Sequence, residues 1–280
     1  MSWRVWSMAF EGWLRHRCAR LGAALAYYSV FSVGPLLLIL TSIAGLFLGQ
    51  EEARRALMAN LREQMGETGS QAVETLLSGA SSEQSGMFAA ITGGVLLIVG
   101  ALGVVVQLKD ALNTIWEVDR AKHATWWSVI RSYLTSLAGI LALGILLAAS
   151  IVVSTALNTI VDWAIAGTSQ LLWQSIAFVL SSAVLTILFA LLFRLFPDAP
   201  VEWRAVWPAA AVTAVLFQLG TFAISWYVGT QALRSTYGAA ASVVVLLIWV
   251  YYSAQIVLFG AELARASSAI SARTDRPKTV

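Results

Sequence analysis

The sequence predicts an all-α, polytopic membrane protein. Six transmembrane helices follow an N-terminal interfacial helix, with one extracytoplasmic amphipathic helical insertion at 51–85. Three observations predict this. Hydrophobic residues make up 59% of the 280 residues and charged residues 12%, about half the charge of an ordinary soluble domain. Charge-free runs recur at 21–50, 84–108, 132–161, 163–193, 205–233 and 235–261. At ~1.5 Å per residue each is long enough to cross a hydrocarbon layer of ~30 Å. Lysine and arginine, finally, are unevenly spread. With the N-terminus inside, fourteen of the eighteen fall on the inner segments, leaving only Arg54, Arg55, Arg62 and Arg234 outside. That bias sets both termini in the cytoplasm.

Residues 1–20 form the interfacial helix. At ~100° per residue, Trp3, Trp6, Phe10, Trp13 and Leu14 share a side, with Arg4, Glu11 and Arg15 off it. The alternative is a partner-binding helix. The first span, 21–50, is too long for a signal-peptide core and is followed by no small-residue cleavage site, so it is expected to stay uncleaved. It carries Tyr28, Ser29, Ser32 and the Gly34–Pro35 pair. Lipid offers no partner for hydroxyls or for a carbonyl freed by proline, so this face must meet other helices or a wet cavity.

The insertion at 51–85 holds six glutamates and three arginines. Leu57, Leu61 and Met65, then Val73, Leu76 and Leu77, mark two amphipathic helices broken at Gly66 to Gly69. It reads as a solvated lid, or else as a gate or docking surface. Gly93, Gly94, Gly100 and Gly103 in the second span permit close helix packing. Beyond it, QLKDALNTIWEVDR keeps its helical period; Asp110 and Glu117 are more simply solvated carboxylates than cation ligands, and Trp126 and Trp127 are interface anchors.

Spans three and four lie near 132–160 and 169–195, with Asn158, Gln170 and Gln174 towards their outer ends. Arg194 can snorkel to phosphate, and RLFPDAPVEWRAVWP makes a rigid inner hairpin. Span five, about 207–229, holds Gln218 and Thr221. In the last span Tyr251, Gln255 and Glu262 align within ~40° on one stripe, which should avoid lipid. Glu262 lies near the inner mouth, where it meets solvent or an arginine such as Arg265. Residues 1–265 therefore read as one domain, and 266–280 as a disordered cytoplasmic tail.

Three stretches, ALAYYSVFSVGPLLL, GALGVVVQLKDALNTIWEV and YGAAASVVVLLIWVYYSAQIVLFGAEL, carry a family resemblance. In order and spacing they resemble the YihY/BrkB family of bacterial inner-membrane proteins. The resemblance covers roughly 20–265 and implies a six-helix plasma-membrane protein. It maps family positions onto Tyr28, Ser32, Pro35, Gln107, Leu112, Asn113, Trp116, Tyr237, Gly238, Gly260 and Glu262. Ala241, where a glycine is common, and Lys109, where an uncharged or varied residue is expected, depart from the pattern. The family once carried a ribonuclease BN label, one branch was named for resistance to serum killing, and lipid or envelope transport has been suggested for some members.

A nuclease needs clustered metal ligands, whereas His16 and His123 sit in no ligand spacing. A net charge of +3 offers no nucleic-acid surface. The single cysteine, Cys18, reads as an apolar filler rather than a reactive thiol. No enzymatic activity, cofactor or metal is expected. The leading expectation is a transporter or lipid translocator whose polar cleft is lined by Tyr28, Ser32, Pro35, Gln107, Asn113, Tyr251, Gln255 and Glu262. Its partners would be membrane lipids and a solute or lipid substrate, with a homo-oligomer left open. The alternative is a non-transporting scaffold for envelope proteins or lipids.

Overall fold

A computed structural model gives the fold and describes residues 3–80, 103–118, 170–230 and 238–274. The predicted span at 132–161 and most of that at 84–108 lie outside the described residues. So do Gly93, Gly94, Gly100, His123, Trp126, Trp127, Asn158 and Tyr237, and the side chains of Ser32, Pro35, Gln170 and Gln174. Among the described residues there is no strand. The helices are α1 (Trp3–Arg15), α2 (Cys18–Leu48), α3 (Gln50–Ala80), α4 (residues 103–115), α5 (Gln170–Leu195), α6 (Trp203–Thr230) and α7 (Gly238–Thr274).

In α1 the small residues Val5, Ala9 and Gly12 are buried, and their spacing makes them one face. That face lies along α7, where the Trp6 ring sits 6.0 Å from Phe259. Trp3, Phe10 and Leu14 remain exposed, as a helix resting on lipid requires. The chain turns into α2 at Arg17, whose φ of 52° is left-handed.

The helical backbone of α2 then runs from Cys18 to Leu48 without a break at Pro35. Proline removes one hydrogen bond there and crowds the carbonyl one turn back, yet the first span stays helical through it. The helix stops at Gly49, φ 87°, whose N–H donates to the Gly45 carbonyl at 2.9 Å.

The insertion is one helix, α3, rather than two broken at Gly66 to Gly69. Each helical glycine costs only ~1 kcal/mol. Burial of Ala53, Leu57, Ser70 and Val73 on either side of the glycines gives the continuous helix its compensation. It lies along α2 and also touches α6 and α7.

Three of the described helices are long and apolar enough to cross a membrane: Phe178–Leu195, Trp203–Ala223 and Leu246–Ser271. Six spans are thus not established, although α5 and α6 fall where spans four and five are predicted. These helices meet through alanines and aromatics. Ala209, Ala210 and Ala214 of α6 and Ala261 and Leu258 of α7 are fully buried, and Phe189, Phe193, Phe217 and Trp249 form an aromatic chain between helices. At Gly260 an added Cβ would collide with Thr213 Oγ1 and come 2.8 Å from Phe193 Cζ, so only glycine allows this approach. Phe178, Val179, Leu219 and Phe222 point outward, the apolar surface a bilayer would cover.

α7 continues to Thr274, beyond the predicted start of the tail at 266. Ala266 is buried and Ile270 packs against the core, which holds these turns in helix. At the α5–α6 turn the Arg194 guanidinium lies 4.9 Å above the Trp203 ring, which in turn stacks 6.0 Å from Trp207.

Candidate functional site

The turn between α1 and α2 carries His16, and α7 brings Glu262 to it. His16 Nδ1 and Glu262 Oε1 are 2.5 Å apart across 246 residues of chain. The Glu262 side chain is 1% exposed and that of His16 is 9%. The Cys18 thiol donates to the same Glu262 oxygen at 3.9 Å. Glycine makes room for the carboxylate: a Cβ on Gly12 would overlap Glu262 Oε2. Similarly, a Cβ on Gly22 would overlap the amide of Gln255. Gln255 Nε2 donates to the Cys18 carbonyl at 3.3 Å, and its Oε1 is buried with no partner among the described residues.

The other ring nitrogen of His16 faces Glu117. Nε2 lies 3.3 Å from Glu117 Oε1, the oxygen that also accepts from Arg15 Nη2 at 3.0 Å and Arg265 Nη1 at 2.6 Å. Arg265 Nη1 donates as well to the Ile115 carbonyl at 3.2 Å, and its Nε is 3.7 Å from Glu262 Oε2. Glu117 owes this position to the end of α4. Val118 N–H donates to the Asn113 carbonyl at 2.9 Å, and Glu117 N–H to Thr114 at 3.2 Å. That is a Schellman cap, with Glu117 at the left-handed position (φ 52°) where glycine is usual. The Arg265 hydrogen bond is the main reason its carboxyl is held below the ordinary value of 4.5.

A second polar group ties α4 to the α5–α6 turn. Asn113 Nδ2 donates to Asp198 Oδ2 at 3.0 Å, and Asp198 N–H returns a bond to Asn113 Oδ1 at 2.8 Å. Lys109 Nζ is 2.9 Å from Asp198 Oδ1. Four segments predicted to be inner therefore meet at one end of the bundle.

The structure thus links Gln255 and Glu262 through Cys18, whose carbonyl accepts from one and whose thiol donates to the other, and sets Asn113 in the neighbouring group. Tyr28 is exposed, its Cδ1 within 2.8 Å of where a Cβ on Gly103 would stand. Tyr251 is also exposed, and Gln107 is half-buried. His16, Cys18, Glu117 and the Lys109–Asp198 pair were not among the expected site residues. Arg265 was foreseen only as a neighbour of Glu262.

Long apolar helices, a lipid-type outer surface and charges buried at one end define an integral membrane protein. The sequence model of the family described as virulence factor BrkB matches residues 9–279, and the chain belongs to that family. It is 28% identical over 250 residues to a UPF0761 membrane protein of Pseudoalteromonas translucida, covering 87% of this chain and 79% of that one. A UPF0761 membrane protein of Stenotrophomonas maltophilia is 27% identical over 279 residues, covering 95% of this chain but 62% of its own length. Another, from Saccharophagus degradans, is 28% identical over 268 residues, 94% of this chain and 59% of that one. No solved structure matches.

Proposed function

We infer that this chain is a transporter or lipid translocator of the bacterial plasma membrane, with six spans and both termini cytoplasmic. The observation that carries the reading is Glu262, an ionisable group 1% exposed inside the span-length segment Leu246–Ser271. Such groups are expensive in a bilayer, so they face the bundle interior or a wet cavity and point to a substrate or ion path. The gathering of Arg15, Lys109, Arg194 and Arg265 at one end supports a cytoplasmic face there. Membrane lipids surround the bundle and the substrate is a solute or a lipid. No enzymatic activity, cofactor or nucleic-acid partner is assigned.

Reconstitution tests this. Liposomes holding the chain are expected to move labelled phospholipids or a panel of small solutes faster than protein-free liposomes, and Glu262→Gln to slow that flux at least tenfold. Flux equal to the protein-free control, for every lipid and solute, removes the reading.

One observation favours the scaffold instead: several described polar groups are taken up by other helices, as with Gln218 Nε2 on Ser182 Oγ at 2.8 Å. Water-soluble thiol reagents separate the two readings. In a Cys18→Ser background, Tyr28→Cys and Gln255→Cys are labelled if a wet cleft reaches them, and Gln255→Cys stays unlabelled if this is dry packing.

A further inference from the structure

Glu117, His16 and Glu262 are joined in a line that leads from water into the bundle. The Glu117 side chain is 58% exposed, that of His16 9% and that of Glu262 1%. Each ring nitrogen of His16 faces one carboxylate: Nε2 to Glu117 Oε1 at 3.3 Å, and Nδ1 to Glu262 Oε1 at 2.5 Å. An imidazole is the one side chain that can accept a proton at one nitrogen while releasing another from the opposite nitrogen.

We propose that these three residues form a proton relay that loads Glu262 from the aqueous end of the bundle. The ion coupled to transport is then H+. This deepens the transport reading and rests on it only for what the proton drives.

With the neutral ring carrying its proton on Nδ1, a hydronium ion protonates the Glu117 carboxylate and leaves as water, and the Glu117 O–H gives its proton to the lone pair of Nε2, restoring the carboxylate. The imidazolium then releases the Nδ1 proton to Glu262 Oε1. The N–H bond at Nδ1 breaks and an O–H bond forms on Glu262. What remains is a neutral ring protonated at Nε2 and a neutral carboxylic acid donating to Nδ1. The ring resets after Glu262 has released its proton onward: its one remaining proton exchanges from Nε2 to Nδ1, which leaves the ring neutral and the net transfer intact.

The surroundings suit the traffic. Arg15 and Arg265 both bond Glu117 Oε1 and keep that carboxylate aimed at the ring. Arg265 Nε also faces Glu262 Oε2 at 3.7 Å, and the Cys18 thiol faces Oε1 at 3.9 Å. Among the described residues, these and His16 are the titratable and charged groups that the helices packed here present to Glu262. On the remaining side, Gly12 leaves the carboxylate its space. Strain marks the same place: Arg17, one residue after His16, and Glu117 are the two described non-glycine residues with positive φ, both at 52°.

The test follows proton uptake by the full chain in lipid nanodiscs after a photolytic pH jump, read by the infrared C=O band of a protonated carboxyl. Glu262→Gln identifies the band by abolishing it. His16→Gln keeps a donor and an acceptor near both carboxylates but cannot pass a proton. It is expected to melt like the wild type and to take up the proton about a hundredfold more slowly. His16→Ala is expected to be equally slow and to be rescued by added imidazole, which a purely structural role would not allow. A wild-type uptake rate in His16→Gln, or no band that depends on Glu262, overturns the relay. Flux is read in a separate assay, so the transport reading survives or fails independently.

Discussion

Residue 117 shows how one side chain can be strained and retained. A left-handed residue with a Cβ costs roughly 1–2 kcal/mol, and both Arg17 and Glu117 carry that cost. They differ in what their side chains do. Arg17 is exposed, whereas Glu117 accepts from Arg15 and Arg265 and faces His16. Arg17→Gly is therefore expected to stabilise the protein by about 1 kcal/mol, and Glu117→Gly to destabilise it, in thermal melts in detergent. Acid tests the same residue. Because the folded state holds the Glu117 carboxyl below 4.5, its contribution is complete above that pH and is lost as pH falls through the lowered value. The difference in melting temperature between wild type and Glu117→Gln is expected to be full at neutral pH and to close below 4.5. At this scale the sequence was half legible. Glu262 stood out as a carboxylate at the end of an apolar run, and Arg265 one turn on was visible as its neighbour. His16 was not, because its partner is 246 residues away and no local pattern announces such a pairing. Nor does any pattern disclose a left-handed glutamate where glycine is the usual residue.

Elements were read best where apolar length alone decides. A span expected near 169–195 is α5, Gln170–Leu195, because hydrophobicity bounded by Arg194 leaves little choice. α3 went otherwise: two glycines suggested a break, but packing along α2 outweighs a cost of ~1 kcal/mol apiece. The far end of α7 was read as tail because its composition is polar and small; burial of Ala266 and packing of Ile270 keep it helical. Glycines matter in two distinct ways here. Gly260→Ala inserts a methyl group against Thr213 and Phe193 and is expected to cost about 1–3 kcal/mol, part of it recovered by adding Thr213→Ala. Gly49→Ala meets nothing within 4 Å, so its cost is the backbone's alone at φ 87°. Denaturation of the four proteins in detergent separates the two effects, since only the first is relieved by a second substitution.

For the whole molecule, the order of the chain matters less than which segments meet. The start of α2, the end of α4, the α5–α6 turn and the last turns of α7 converge through His16, Glu117, Asp198 and Arg265. Fourteen of the eighteen lysines and arginines belong to segments assigned to that side. Single cysteines at Glu11 and at Ser271 in a Cys18→Ser background are expected to be protected from an impermeant thiol reagent in intact cells and labelled after lysis. A cysteine at Arg55 should be labelled without lysis, and the reverse pattern would invert the orientation. All of this hangs on the two ends of the chain being joined at His16 and Glu262. The most direct measurement replaces both with cysteine in the Cys18→Ser background, treats membranes with a short thiol-specific bifunctional reagent, and cleaves the chain between them. The two fragments are expected to stay linked. Separate fragments, each thiol still open to alkylation, would contradict it.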